Sequence, residues 1–224
     1  MTPPPGADST RERIVAAATA EFARHGIAGA RIERIAKAAR TSKERLYAYF
    51  RGKEELYATV AAAELTAVAE ATRLDPTDLP GYAGRLHDYF SAHPDRLRLM
   101  SWGRLELSPD PAPVDGSAAT DGPAADGPAA DDPERATVRH KTEQLRLAQR
   151  AGHLDPSWDP LDVLVLLDQL ATAWAGQSDF LPADAERRAA FLAERRAVVV
   201  AAVQRLFPAA TGRPATTGRP AATG

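Results

Sequence analysis

The chain has no cysteine. Disulfides, thiolate nucleophiles and cysteine-held metals are therefore excluded. No apolar run approaches the roughly 20 residues that span a bilayer, so no membrane segment is expected. Strand signals are almost missing: Val198-Val199-Val200 is β-branched, but it lies inside a long run rich in Ala, Arg and Glu. The signatures of common catalytic folds are missing too. There is no Gly-x-Ser-x-Gly elbow, no phosphate-cradling Gly-Lys-Ser/Thr loop and no dinucleotide fingerprint. The five histidines, at positions 25, 87, 93, 140 and 153, form no i, i+4 pair. Catalytic residues, a metal site and a cofactor are accordingly not expected. The opening Met1 to Gly6 is Pro-rich and shows no basic-then-apolar leader. With the absent cysteines, this makes a cytoplasmic protein the expected reading.

What is present is helical and unevenly charged. Apolar residues are 44% and charged residues 26% of the 224, the balance of a folded globular protein. The net charge of −2 hides a gradient. Residues 1–57 carry +4 and the remainder −6, while Arg31 to Lys53 alone carries +6. A basic block on a mildly acidic body points to a polyanion-binding part joined to something else.

The fold class expected is all-α, with a helix-turn-helix at the N-terminus and a larger helical body. Residues 1–9 read as a disordered arm and 10–57 as the DNA-binding domain. In the latter, a first helix places Ile14, Ala18 and Phe22 on one face and stops at Gly26. A second covers about 31–39, and a third follows Ser42 as N-cap and buries Leu46 and Phe50. Gly52 breaks that helix and Lys53 opens a fourth. Residues 58–207 read as the body, with helices over 78–92, 94–107, 134–151, 161–177 and 182–206. Within the body, 108–133 repeats Asp-Gly-Pro-Ala-Ala and buries too little apolar surface to offset chain entropy, so a flexible loop is expected there. Residues 208–224 repeat Thr-Gly-Arg-Pro and read as a disordered tail.

Two short basic helices joined by a tight turn suit duplex DNA. A helix fits the major groove, where side chains meet distinguishable base edges. With Leu46 and Phe50 turned to the core, Lys43, Glu44, Tyr47 and Ala48 point outward, flanked by Arg45 and Tyr49. Arg31, Arg40, Ser42 and Lys53 complete the expected DNA-binding set, the last placed for a backbone phosphate.

The segments Glu21-Phe22-Ala23-Arg24-His25-Gly26, Ser42-Lys43-Glu44-Arg45-Leu46-Tyr47-Ala48-Tyr49-Phe50 and Lys53-Glu54-Glu55-Leu56 resemble the DNA-binding domain of the tetracycline-repressor (TetR) family. The resemblance covers about residues 10–60. It implies three small N-terminal helices, a connecting fourth, and a helical body that dimerises and holds a ligand. Two departures stand out. The family usually has Gly in the turn where this chain has Arg40, and often Gly-Thr where it has Glu44-Arg45. A left-handed arginine costs about 1 kcal/mol, so a reshaped turn or an Arg40 reaching phosphate is expected. The changed pair alters which bases can be read.

The resemblance further implies a homodimer through helices near 161–177 and 182–206, where Leu161, Val163, Leu164, Val165, Leu166, Leu167 and Leu170 form a run too broad for one buried face. It implies a small-molecule inducer, and Phe90, Met100, Trp102, Leu105, Glu106, Asp168 and Trp174 are the candidate pocket residues. The function expected is a sequence-specific regulator, a repressor released from its double-stranded DNA operator by that molecule. The competing reading is a sequence-tolerant architectural DNA binder without ligand control.

Overall fold

The computed structural model describes residues 7–106 and 133–208. The expected loop 108–133, most of the arm 1–9 and nearly all of the tail 208–224 lie outside the described residues. Those residues form nine α-helices: α1 Ala7–Gly29, α2 Ile32–Ala38, α3 Lys43–Tyr49, α4 Lys53–Ala71, α5 Leu79–Ala92, α6 Pro94–Glu106, α7 Pro133–Arg150, α8 Pro160–Thr172 and α9 Ala185–Leu206. A short 3-10 turn spans Ser178–Phe180. No strand occurs among the described residues.

Three boundaries differ from the sequence expectation. Residues 7–9 already belong to α1. Helix α8 ends at Thr172, five residues before Gln177, and it starts with Asp159 as N-cap and Pro160 in its first turn. The Asp-Pro pair is a start signal in its own right, because an aspartate oxygen accepts from an early N–H and proline lacks the N–H that would be orphaned. Helix α9 starts after Asp184, whose carboxylate accepts from Arg187 N at 2.9 Å. Pro182 is thus outside it.

Two cores organise the molecule. The head core gathers Ile14, Ala18 and Phe22 of α1, Ile35 of α2, Leu46 of α3 and Leu56 and Val60 of α4. Phe22 meets Tyr57 edge-to-face at 5.4 Å. Each of the fully buried Ile, Leu, Val and Phe side chains contributes about 1.5–3 kcal/mol. The body core is built on α5, α8 and α9, with Tyr82, Leu86, Leu164, Leu167, Val199 and Val203 at its centre. Leu99, on α6 of the body, is wholly buried in the head core. Residue 57 itself lies inside α4, and the packing of the head runs past it to α6. Glu64 in the middle of α4 is buried and ion-paired to Arg96 of α6 at 2.8 Å, with the Tyr89 hydroxyl of α5 donating to the same carboxylate at 2.8 Å.

The turn between α2 and α3 is not reshaped. Arg40 adopts φ 54, the one non-glycine residue with positive φ among those described. Arg40 N donates to Lys37 O at 3.2 Å and Thr41 N to Ala36 O at 3.0 Å. This pair of bonds is the Schellman motif, which places its left-handed residue just past the helix. Helix α7 ends in the same way: Gly152 N donates to Gln149 O and His153 N to Ala148 O, with Gly152 at φ 76. There the left-handed site holds the residue that fits it without a Cβ clash.

Arg40→Gly removes that clash and gives back some unfolded-chain entropy, for a net gain of about 0.5–1 kcal/mol. For a chain of this size the thermal midpoint rises by roughly 1–4 °C. A melting experiment that finds it unchanged or lower refutes the strain argument at this turn.

Candidate nucleic-acid interface and ligand cavity

Helix α3 is anchored by one wholly buried residue, Leu46, and followed by Phe50, which is 2% exposed. Ser42 caps it, its hydroxyl accepting from Arg45 N at 3.1 Å. With the buried side thus fixed, Lys43, Glu44, Arg45, Tyr47 and Ala48 are exposed on the other side. Tyr49 is half-buried against the head core. Arg31 and Arg40 are exposed nearby. Lys53 is held back: its Nζ donates to Ala28 O at 3.1 Å, at the end of α1. Its ammonium therefore closes a helix C-terminus, a favourable place for a cation.

Neighbouring helices set the pitch of this surface. Arg31, the N-cap of α2, supplies no side-chain cap of its own. Glu21 of α1 does so instead, accepting from Arg31 N at 3.0 Å and from Arg34 Nε at 2.6 Å. Burial pushes the Glu21 carboxyl up, but the bonds from Arg34 and Arg31 outweigh it and hold the group below the usual carboxylate range. The clamp therefore adds stability above that range and loses it as pH falls through the lowered value. Arg13 of α1 reaches across to donate to Ala39 O at 3.1 Å.

Sequence reasoning missed Glu33. This α2 residue pairs with Lys43 at 2.5 Å, bridging the two short helices across the solvent face. The bond raises the Lys43 ammonium and lowers the Glu33 carboxyl from their usual ranges. An acidic residue ten positions before an outward lysine gives no sequence signal, because only the inter-helix angle makes them neighbours.

A cavity of about 280 Å³ lies in the body between α4, α5, α6, α7 and α8. Of the expected pocket residues, Phe90, Met100 and Asp168 line it. Trp102, Leu105, Glu106 and Trp174 are not in its lining. Leu105 is 74% exposed. Trp174 meets Phe191 of α9 edge-to-face at 5.7 Å, with the Arg195 guanidinium 5.4 Å from its ring. Trp102 and Glu106 face the head, because two and six residues on from Met100 fall on the far side of α6. The lysine of the lining, Lys141, was also missed. Its signal was legible: it falls at helical spacing between Val138 and Leu145, on the inward stripe of α7.

The contact of α6 with the head is close. The Glu106 carboxylate accepts from Ile27 N at 3.1 Å and Ala28 N at 2.6 Å. Those amides are freed because Gly26, at φ 69 and ψ −178, breaks α1. A Cβ on Gly26 would lie 3.2 Å from the Trp102 ring and closer still to Glu106 Oε1. One turn back, the Tyr57 hydroxyl of α4 donates to Leu99 O at 2.9 Å.

Comparison with known proteins accords with both halves of this architecture. Residues 14–60 match the family described as bacterial regulatory proteins, tetR family, and residues 78–205 match the tetracyclin repressor-like C-terminal domain. The solved structure of the transcriptional regulator SCO4942 from Streptomyces coelicolor is 51% identical, with a TM-score of 0.69 over 89% of this chain and 99% of that one. The HTH-type transcriptional repressor SCO4008 of Streptomyces coelicolor is 50% identical over 99 residues, 44% of this chain and 52% of that protein. The HTH-type transcriptional repressor NicS of Pseudomonas putida is 33% identical over 107 residues, 44% of this chain and 50% of that protein. The chain thus spans about half the length of these two curated relatives. No described helix is long and apolar enough to cross a membrane, and no described group of three or more His, Asp or Glu could hold a metal. With one matched family spanning the DNA-reading head and another most of the body, the chain belongs to the TetR family of DNA-binding transcriptional regulators.

Proposed function

We propose that the protein is a homodimeric repressor that a small molecule releases from its operator. The observation that carries this reading is the double duty of α6. It gives Leu97 and Met100 to the cavity wall and Leu99, Trp102 and Glu106 to the head. Any molecule that shifts the cavity wall therefore also shifts the support of the DNA-reading helices. Ligand and DNA then oppose each other through one coupling energy, of about 1–3 kcal/mol. That two relatives are named repressors supports repression over activation.

The dimer follows from the apolar surface that α8 and α9 leave uncovered. Leu161, Val165, Val198 and Leu206 are each between 41% and 55% exposed. A two-fold axis through these helices pairs two heads on successive major grooves, about 34–36 Å apart, over a near-palindrome. The interface resides in α8 and α9, and Lys43, Arg45, Tyr47 and Tyr49 are the side chains assigned to the groove. Arg31, Arg40 and Ser42 lie at its phosphate edges.

Four measurements test this. Lys43→Ala weakens operator binding by about 1–3 kcal/mol in a gel shift while leaving the thermal midpoint within a degree or two; unchanged affinity refutes the placement of the reading helix. A competition titration at fixed salt separates the repressor from a sequence-tolerant binder, which would show little gap between operator and random duplex. Val198→Glu places a charge in the proposed interface and yields a monomer by sedimentation, with operator binding lost; an intact dimer moves the interface elsewhere. Glu106→Ala frees the Ile27 and Ala28 amides, so their hydrogen exchange quickens tenfold or more in the full chain. Unaltered exchange there would deny α6 its hold on the head.

A further inference from the structure

The segment from Arg31 to Lys53 holds eight cations and two carboxylates, Glu33 and Glu44. Both carboxylates act on one cation, Lys43. Glu44 is its chain neighbour on α3. Glu33 comes from α2 and accepts from Lys43 Nζ at 2.5 Å. Ile32, Ile35 and Ala36 turn inward and leave Glu33 on the solvent side of α2. Arg31 also acts on Glu33, through charge and more weakly than Lys43.

Glu33 is not a clamp of the kind that Glu21 forms. The Glu21 side chain is 11% exposed and bonds a backbone amide as well as Arg34. The Glu33 side chain is 63% exposed and the Lys43 side chain 45%. A pair so open to water adds little to folding stability. Its effect falls on whatever else binds Lys43.

Base edges and phosphates meet this pair differently. An ammonium has three N–H donors, and Glu33 takes one. Two are left, and guanine presents two acceptors, N7 and O6, side by side in the major groove. Lys43 can therefore meet such an edge with Glu33 still bonded. A phosphate competes with the carboxylate for the same charge. Where it takes Lys43, it leaves Glu33 facing the anionic backbone, a repulsive contact. Random duplex offers Lys43 mainly phosphate, whereas an operator offers it a base.

We propose that Glu33 is a specificity-determining residue: it penalises the phosphate-only use of Lys43 and so widens the gap between operator and random duplex. The proposal rests on Lys43 meeting DNA, as assigned above. Glu33 acts through Lys43, as a positioning residue that itself reads no base.

The full chain, Glu33→Gln, Lys43→Ala and the double variant are titrated at one fixed salt. Each meets an operator selected from random duplex, and random duplex itself. In Glu33→Gln the operator-to-random affinity ratio falls about threefold, the weight of an exposed ion pair, because random-duplex binding tightens more than operator binding. With Lys43→Ala in place, Glu33→Gln leaves the ratio where it was, since the carboxylate then has no lysine to hold. A carboxylate acting by bulk repulsion would tighten both duplexes equally and leave the ratio unmoved in either background. A ratio that holds or rises in Glu33→Gln, or an equal fall in the Lys43→Ala background, overturns the proposal. Glu33→Ala repeats the test should Glu33→Gln fail to fold. Lys43→Ala separates this failure from that of the wider reading. If it leaves operator affinity unchanged, α3 is not the reading helix and the proposal goes with it. If it weakens operator binding while Glu33→Gln leaves the ratio unmoved, the proposal alone falls.

Discussion

The molecule hinges on how α6 is held. Its last turn hydrogen-bonds through Glu106 to two backbone amides that exist as free donors only because Gly26 interrupts α1. An amide left without an acceptor costs more the more it is buried, so at buried Ile27 the break in α1 favours a partner from outside the head. Leu99 fills the head core from the same helix, and Tyr57 bonds to its carbonyl. Leu99 and Glu106, with Trp102 against Gly26, share one face of a helix. Positions 97 and 100, roughly a third of a turn or more around, look onto the cavity. Two environments on one rigid rod are a mechanical link, and a side-chain relay is not needed to connect them.

The DNA-reading surface is set by a different balance. Its apolar anchors, Leu46 and Phe50, lie on the inner side of α3 and leave the outer side to charge. The positive charge there is partly restrained in the free protein. Glu33 holds Lys43, Glu21 holds Arg34, and Ala28 O holds Lys53. The Glu33–Lys43 pair is exposed and worth little in water, so DNA phosphate would displace that carboxylate at low cost. Arg40 adds a second tension, an arginine in a backbone conformation suited to glycine, at the turn that sets the angle between the two short helices.

The existence, type and order of the helices were legible because apolar periodicity and caps are local signals. Ser42 before α3 and Gly52 before α4 are caught by such rules. So was the inward turn of Leu46. The end of α8 was not, because Ala171 to Gly176 has no strong stop until Gly176, whereas the helix ends at Thr172. The pocket was the least legible part. Trp102 and Glu106 share the helix of Met100, and their position on the cavity or on the head depends on which face of α6 meets α1, a relation between segments more than seventy residues apart.

By itself, the amino-acid sequence determined an all-helical chain, a basic N-terminal helix-turn-helix, the residues that anchor its second short helix, and resemblance to one family of regulators. These follow from spacing, since residues three and four apart must share a helix face whatever surrounds them. Only the tertiary structure decided that Arg40 keeps the left-handed turn, that Glu33 reaches Lys43, that Glu106 serves the head and not the cavity, and that Lys141 and Asp168 line one cavity. Each of these is a meeting of distant segments. Its geometry is set by how whole helices pack, which no local pattern encodes.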